Sequence, residues 1–403
     1  MPLSPRARRA IAVSAWLIAV HVYLAYGLPE WLFATLAVAT GLLFWRVGAL
    51  GAVTVTVTLL VITLGYAAVL KITGFEERIY YRPDEQYVSF DYEHNHRRYQ
   101  PNVHLDVTMP HGDLRSMTAA DVAEPRRMRF DTDRDGFRNT SDYHGQRLLL
   151  VGDSFIAGNS NTQEDMLVEQ LKRDYSVDAY NLAYPGNLAD YAAYVRGFRD
   201  RYGDDFRVLL FLFEGNDFEE SRGRPPSAIA RYGRRYYSLF SEFSTYRVTM
   251  SLYKRFTRGR DIREGSALEQ VELAGKPLLF YRQYAEVTRR ATLAEPVGFE
   301  QKLLELRPVI ERVYFIPTKY RVYGRHAGAG TLPNAQWAYL AGLCRKHALR
   351  CTNLTDDLVR ESERQLKQAA LIWWRDDTHW NGRGIAVAAR AVARDLGAKP
   401  KRR

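Results

Sequence analysis

Leu148-Leu149-Leu150-Val151-Gly152-Asp153-Ser154-Phe155-Ile156-Ala157-Gly158 is the stretch that decides the fold of this chain. An apolar run stops at a Gly-Asp-Ser turn, which sets the Ser154 hydroxyl at the C-terminal end of a strand, the edge where open α/β sheets take their ligands. Glu164 to Arg173 follow with Met166, Leu167 and Leu171 at helical spacing, so the unit reads as strand, tight turn, loop and helix. Ser154 is therefore a candidate nucleophile, although a Gly-Asp-Ser turn by itself is also common punctuation between elements.

The same alternation continues downstream. Residues 178–182 read as a short strand, followed by the turn Ala183-Tyr184-Pro185-Gly186-Asn187 and a helix over about 188–198. Residues 207–213 (RVLLFLF) are nearly all apolar, the pattern of a parallel strand buried on both faces, and run into Glu214-Gly215-Asn216-Asp217. Residues 221–297, basic and rich in Tyr and Arg, read as an insertion with helical stretches near 236–256 and 278–292. A helix near 299–311, a strand at 312–317, a helix near 334–347 and a strand around 350–354 resume the alternation. The chain then runs through Leu371-Ile372-Trp373-Trp374, Arg375 to Asn381, a helix over 382–396, and a basic tail from Lys399 to Arg403 that is expected to be disordered.

Upstream, residues 72–146 form a β-rich lead-in with short alternating runs at 87–90, 103–107 and 128–130. It ends in a turn cluster from Asp131 to Asn139. The spacing of Asp131, Asp133 and Asp135 suggests a calcium loop, but the remaining ligands and closing glutamate are missing, so a hairpin turn is expected. Residues 1–71 read as membrane, with three spans over roughly 10–28, 31–46 and 50–70. Arg6, Arg8, Arg9 and Arg46 on the cytoplasmic side would leave the C-terminal domain outside. A cleaved signal peptide ending near Ala25-Tyr26-Gly27 is the alternative for the first span, with the same outer location.

The 403 residues, 46% hydrophobic and 26% charged, can bury a sizeable core. The formal charge of +11 is spread among aromatics and acids without a nucleic-acid motif, so it points to anionic surroundings such as lipid headgroups or an acidic polymer. The two cysteines, Cys344 and Cys351, are too few for a disulfide scaffold or a four-ligand zinc site. They pair if the domain lies in an oxidising compartment and otherwise stay as two thiols.

Four blocks line up along residues 146–396: Gly152-Asp153-Ser154, Gly186 in a Pro-Gly-Asn turn, Asn216 in Gly-Asn-Asp, and Asp376-x-x-His379. In order and spacing they resemble the SGNH (GDSL-type) hydrolase superfamily. Phe155 stands where that family often has Leu, and Gly215 directly precedes Asn216 rather than lying two residues before it. The resemblance implies a three-layer, flavodoxin-like parallel sheet with flanking helices, here preceded by transmembrane helices, with the hydrolase-like domain at 147–398.

The chemistry is legible from the residues as well. A serine hydroxyl needs a base to take its proton, and a histidine held by a carboxylate does so near neutral pH. His379 is the expected base and Asp376 its orienter, with Asp377 as rival; the family's Asp-x-x-His spacing favours Asp376, while triad geometry alone does not choose. The backbone N–H groups of Ser154 and Gly186 and the side-chain amide of Asn216 are the expected oxyanion donors. A metal site built on Asp376, Asp377 and His379 lacks a clear fourth ligand, so no metal and no cofactor are expected.

Asp377-Thr378-His379-Trp380-Asn381, Ile316-Pro317-Thr318-Lys319 and Val322-Tyr323 also resemble the SGNH-like domains of alginate O-acetylation proteins. That implies a membrane-anchored O-acyl esterase or O-acetyltransferase acting on an extracytoplasmic or secreted polysaccharide, with a membrane-bound acyl-donor protein as partner. Two other readings stand beside it: a catalytically silent glycan-binding component of a modification or export complex, and a lipase-like esterase. Trp373, Trp374 and Trp380 fit sugar stacking, against the commoner alternative of core aromatics.

Overall fold

The computed structural model describes Ser4, Gly65 and residues 87–91, 94, 96–117, 122–218 and 268–401. The expected spans at 10–28, 31–46 and 50–70, Gly65 apart, and the expected helix at 236–256 lie outside these residues. No helix among the described residues is long and apolar enough to cross a membrane. The chain divides into two units, Met1–Tyr80 with Arg224–Thr257 and Tyr81–Gly223 with Arg258–Arg403. All the elements below belong to the second.

In chain order they are β1 (Val88–Asp91), β2 (His96–Tyr99), β3 (His104–Met109), α1 (Asp113–Met117), β4 (Arg126–Asp131), β5 (Leu148–Val151), α2 (Leu167–Tyr175), β6 (Tyr180–Asn181), α3 (Leu188–Tyr202) and β7 (Arg207–Phe213). There follow β8 (Leu268–Leu273), β9 (Lys276–Tyr281), α4 (Arg282–Arg289), α5 (Phe299–Leu306), β10 (Ile310–Ile316), α6 (Lys319–Tyr323), α7 (Ala335–Lys346), β11 (Cys351–Asn353), α8 (Thr355–Leu366) and α9 (Gly382–Asp395).

Five strands form one parallel sheet in the order β11-β10-β7-β5-β6, flanked by helices. Because side chains alternate across a strand, each central strand feeds two cores. Leu209, Phe211 and Phe213 of β7, with Tyr314 and Ile316 of β10, pack on α2, α8 and α9. Val208, Leu210 and Leu212, with Val313 and Phe315, face the opposite side against α3, α5 and α7. Burial on both faces is why β7 reads as an uninterrupted apolar run.

The lead-in is built of antiparallel pairs, β1 with β2 and β3 with β4. The turn cluster after β4 is not a hairpin turn between strands. It is a loop wound around the buried Asp133 carboxylate, which accepts hydrogen bonds from the backbone N–H groups of Asp135 and Phe137, the Asn139 amide and the Tyr180 hydroxyl. Burial pushes that carboxyl up to about 6 despite those donors. Next to it, the buried Arg138 guanidinium donates to the carbonyls of Gly158, Asn161 and Arg129 and ties the loop after Ser154 to the lead-in.

Two expectations need correction. The stretch 278–292 is helical only from Arg282. Its apolar start, Leu278 to Phe280, pairs as β9 with β8 through a turn at Ala274 and Gly275, both at positive φ. Leu371 to Trp374 make one ladder contact, an isolated bridge between Trp373 and Trp380. The tail is held at least to Lys401, which donates from its backbone to Asp174 and from its side chain to Lys172. Cys344 and Cys351 form a disulfide, with 6.3 Å between Cα atoms, that joins α7 to β11.

Candidate functional site

The parallel sheet brings the C-terminal ends of β5, β6 and β7 to one edge, and the chain leaves them as the Ser154 turn, the Gly186 turn and the Asn216 turn. Asp153 shapes the first. Its carboxylate accepts from Phe155 N at 2.9 Å and its carbonyl from Ile156 and Ala157, so the chain turns tightly and leaves Ser154 partly accessible. The other carboxylate oxygen of Asp153 is buried without a partner, and burial pushes this carboxyl up to about 6.

His379 arrives from the far end of the chain. Its Nε2 lies 2.7 Å from Ser154 Oγ and its Nδ1 lies 2.6 Å from Asp377 Oδ1. Ser154, His379 and Asp377 therefore form one hydrogen-bonded chain. The ring is buried and packs against Phe155 at 4.9 Å between centroids, with Phe155 resting on Phe213 and Trp380.

Asp376, expected as orienter, does not reach the ring. Its carboxylate turns the other way and accepts from Gly112 N at 2.7 Å, Glu124 N at 2.9 Å and Arg126 Nη1 at 2.9 Å. Asp377 takes the place beside the histidine because its own loop and the lead-in converge on it. Oδ1 accepts from His379 N as well as from the ring, and Oδ2 accepts from Asp113 N, Arg126 Nη2 and Ser160 Oγ. Arg126 thus spans both carboxylates, buried as they are. Gly112 fits there because it lacks a side chain: a Cβ would fall 2.3 Å from the Asp376 carbonyl oxygen.

A further carboxylate faces the histidine. Asp113 accepts from Thr378 N at 2.7 Å and from the Thr378 hydroxyl, and its Oδ2 stands 3.6 Å from His379 Nδ1. That separation is too long for a hydrogen bond but adds negative charge on the side where an imidazolium would form. Under the same loop lies Lys319, fully buried, whose ammonium donates to the carbonyls of Trp374, Arg375 and Asp377 at 2.7, 3.0 and 3.0 Å. Burial pulls its pKa down to about 7, against the pull of the carboxylates of Asp377, Asp113 and Asp376. Asp113, Asp377 and His379 also lie close enough to hold an ion. The Nδ1–carboxylate contact of 2.6 Å, however, is that of a direct hydrogen bond with no room between the atoms.

The Gly186 and Asn216 turns are tied together by a residue that sequence reading did not single out. Tyr191, buried on α3, has its hydroxyl 3.1 Å from the Gly186 carbonyl and 2.8 Å from Asp217 Oδ1. Asp217 in turn accepts from Phe213 N at 2.7 Å and closes the turn that carries Asn216. Burial, with the nearby Asp153 charge, holds Asp217 well above the usual carboxylate range. The Tyr191 hydroxyl donates to Asp217 Oδ1, with the Gly186 carbonyl as its second acceptor. The signal for Tyr191 was its place five residues after Gly186 on the buried face of α3, a face that also reads as ordinary core.

Asn187 caps α3, accepting from Ala189 N and Asp190 N while Asp190 accepts from Asn187 N, and so sets the Gly186 turn at the helix start. Asn216 is partly buried, and its Oδ1 has no partner. Of the three tryptophans, Trp373 and Trp380 are core residues and offer no face for stacking. Trp374 is partly exposed but carries the Arg126 guanidinium 4.4 Å over its ring. No protein-family model matches the chain, and neither does any curated protein.

Proposed function

We propose that this protein is a serine O-acyl esterase or O-acetyltransferase of the SGNH hydrolase type. The domain would be membrane-anchored and face outward, acting on an extracytoplasmic or secreted polysaccharide. The observation that carries the catalytic part is the chain Ser154 Oγ, His379 Nε2, His379 Nδ1 and Asp377 Oδ1, with contacts of 2.7 and 2.6 Å. A parallel sheet with its catalytic turns at one edge supports the three-layer, flavodoxin-like reading. The Cys344–Cys351 disulfide supports an oxidising location.

In the first half-reaction Ser154 Oγ attacks the acyl carbonyl carbon as its proton passes to His379 Nε2. The carbonyl electrons move to oxygen, and the oxyanion receives hydrogen bonds from the N–H groups of Ser154 and Gly186 and the Asn216 amide. Asp377, with Asp113 behind it, balances the imidazolium. The bond to the leaving oxygen then breaks as His379 returns the proton to it, leaving an acyl-serine. Water or a sugar hydroxyl next gives its proton to His379 and attacks, and Ser154 leaves with its proton restored.

The test incubates the full chain with p-nitrophenyl acetate, with and without candidate glycans, and follows acetate release and glycan mass. Labelling of Ser154 by a fluorophosphonate is expected. An unlabelled wild-type protein, with Ser154→Ala still supporting full glycan acylation in cells, would replace this reading with that of a silent component.

A further inference from the structure

Far along α3 from the Gly186 turn, the β1–β2 hairpin gathers Asp91, His94 and His96, whose ligand atoms all lie within 4.8 Å of one another. Each ring has one nitrogen turned away from Asp91 toward another acceptor. His94 Nε2 lies 3.1 Å from Asp200 Oδ2 on α3, and His96 Nδ1 lies 3.2 Å from the Arg97 carbonyl. The remaining nitrogens, His94 Nδ1 and His96 Nε2, both face the Asp91 carboxylate. His94 Nδ1 is 3.2 Å from both oxygens of Asp91, and His96 Nε2 is 3.8 Å from Oδ2.

A proton on His94 Nδ1 would let that ring bridge Asp91 and Asp200, but it would leave His96 Nε2 at 3.8 Å from Oδ2, with the Arg98 guanidinium already 4.0 Å from Asp91. One divalent ion answers all three groups at once. Zinc bonded at about 2.0–2.1 Å holds neighbouring ligand atoms roughly 3.3 Å apart on a tetrahedron, close to the 3.2 Å contacts, while the 3.8 Å gap exceeds a hydrogen bond. We propose that Asp91, His94 Nδ1 and His96 Nε2 bind a divalent transition metal, zinc by ligand type, pinning the β1–β2 hairpin to α3.

The surroundings are those of a built site. A carboxylate on the far nitrogen of one histidine and a backbone carbonyl on that of the other are the outer partners that orient metal-binding imidazoles. The helix also makes room for the first ring: a Cβ on Gly197 would fall 2.9 Å from His94 Cγ and 3.0 Å from Nδ1. Gly197 and Asp200 are three residues apart on one face of α3, so the opening and the oriented carboxylate meet the same imidazole. The second ring is buried, with Tyr194 edge-on at 4.8 Å between centroids. Two imidazoles with one carboxylate suit zinc and its first-row neighbours, whereas calcium and magnesium take oxygen ligands.

The test uses the full chain, purified through a non-histidine tag and stripped with chelator, titrated with Zn²⁺ against a chromophoric competitor. One ion per chain is expected in the wild type and in His379→Ala. His94→Ala and His96→Ala should weaken binding at least 100-fold, and Asp200→Asn, which keeps all three ligands, about tenfold. Zn²⁺ should raise the melting temperature of the wild type and of Asp200→Asn but not of His96→Gln. That readout keeps the question open to test if an alanine variant folds poorly. A stripped wild type that takes up no Zn²⁺ would overturn the proposal. So would stoichiometric binding that survives in the His94→Ala/His96→Ala double variant, or that disappears in His379→Ala.

Discussion

The two sides of the candidate site are made in different ways. On the nucleophile side, Ser154 follows its own strand by three residues, and its turn is shaped by the neighbouring Asp153. On the base side, Asp377 is held by Asp113, Arg126 and Ser160, more than 200 residues away in sequence. One side is therefore set by local backbone geometry and the other chiefly by a lead-in that folds back over the C-terminal loop, with Ser160 reaching it from the loop after Ser154. The lesson lies in the neighbouring carboxylates Asp376 and Asp377, which are equally buried and share Arg126 but do different work because different partners surround them.

The largest expected effect breaks the joint between the two sides. Ser154→Ala and His379→Ala should each lower kcat by about 10⁶, with the double variant scarcely worse, because such residues act as a unit. Steady-state hydrolysis of p-nitrophenyl acetate measures all three variants. Additive losses would mean that serine and histidine do not act together.

Next comes the comparison of the two aspartates. Asp377→Asn should lower kcat about 10⁴-fold by disturbing the tautomer and charge of His379, while Asp376→Asn should lower it less than tenfold. Equal losses would erase the distinction between them. On the opposite side, Asn216→Ala removes one proposed oxyanion donor and should lower kcat by about 10²–10³ with acyl-serine formation still detectable.

The lead-in is tested by Arg126→Met, which leaves Asp376 and Asp377 buried without their shared cation. Breaking a buried pair in this way is destabilising by about 3–5 kcal/mol, read from denaturant unfolding. A loss under 1 kcal/mol would show that the lead-in merely covers the loop.

The smallest effect is a pH dependence on the nucleophile side. The folded-state pKa of Asp153 is raised by burial to about 6, so the folded protein holds a proton that the unfolded chain releases near 4. Its contribution to stability is therefore lost as pH rises from about 4 to 6 and stays lost above. Asp153→Asn should make that limb shallower, with Asp133 keeping its own share, and gain at most about 2–3 kcal/mol at pH 7, measured by unfolding at several pH values.

Much of this could be read before the structure. The buried strands at 148–151 and 207–213 declare themselves through unbroken apolar runs, and the candidate serine and histidine through turn chemistry and the block at the C-terminus. The sequence around β9 reads as helix because Leu278 to Phe280, followed by Arg282 to Arg289, fits an amphipathic helix as well as a strand entering one. Only pairing with β8 across the Gly275 turn decides between them. Tyr191 reads in the sequence as a core residue on a helix, and only the position of its hydroxyl between two turns sets it apart.

Sequence by itself determined the parallel α/β order, the strand-end serine and the arrival of a histidine with two neighbouring aspartates, because periodicity and turn residues are local properties of the chain. Only the tertiary structure decided which aspartate serves the histidine. Asp376 and Asp377 are the same residue type one position apart, and what separates them is the direction in which Arg126, Gly112, Asp113 and Ser160 present their donors. Those directions arise when strands and loops distant in sequence pack together, and no spacing within residues 375–381 encodes them.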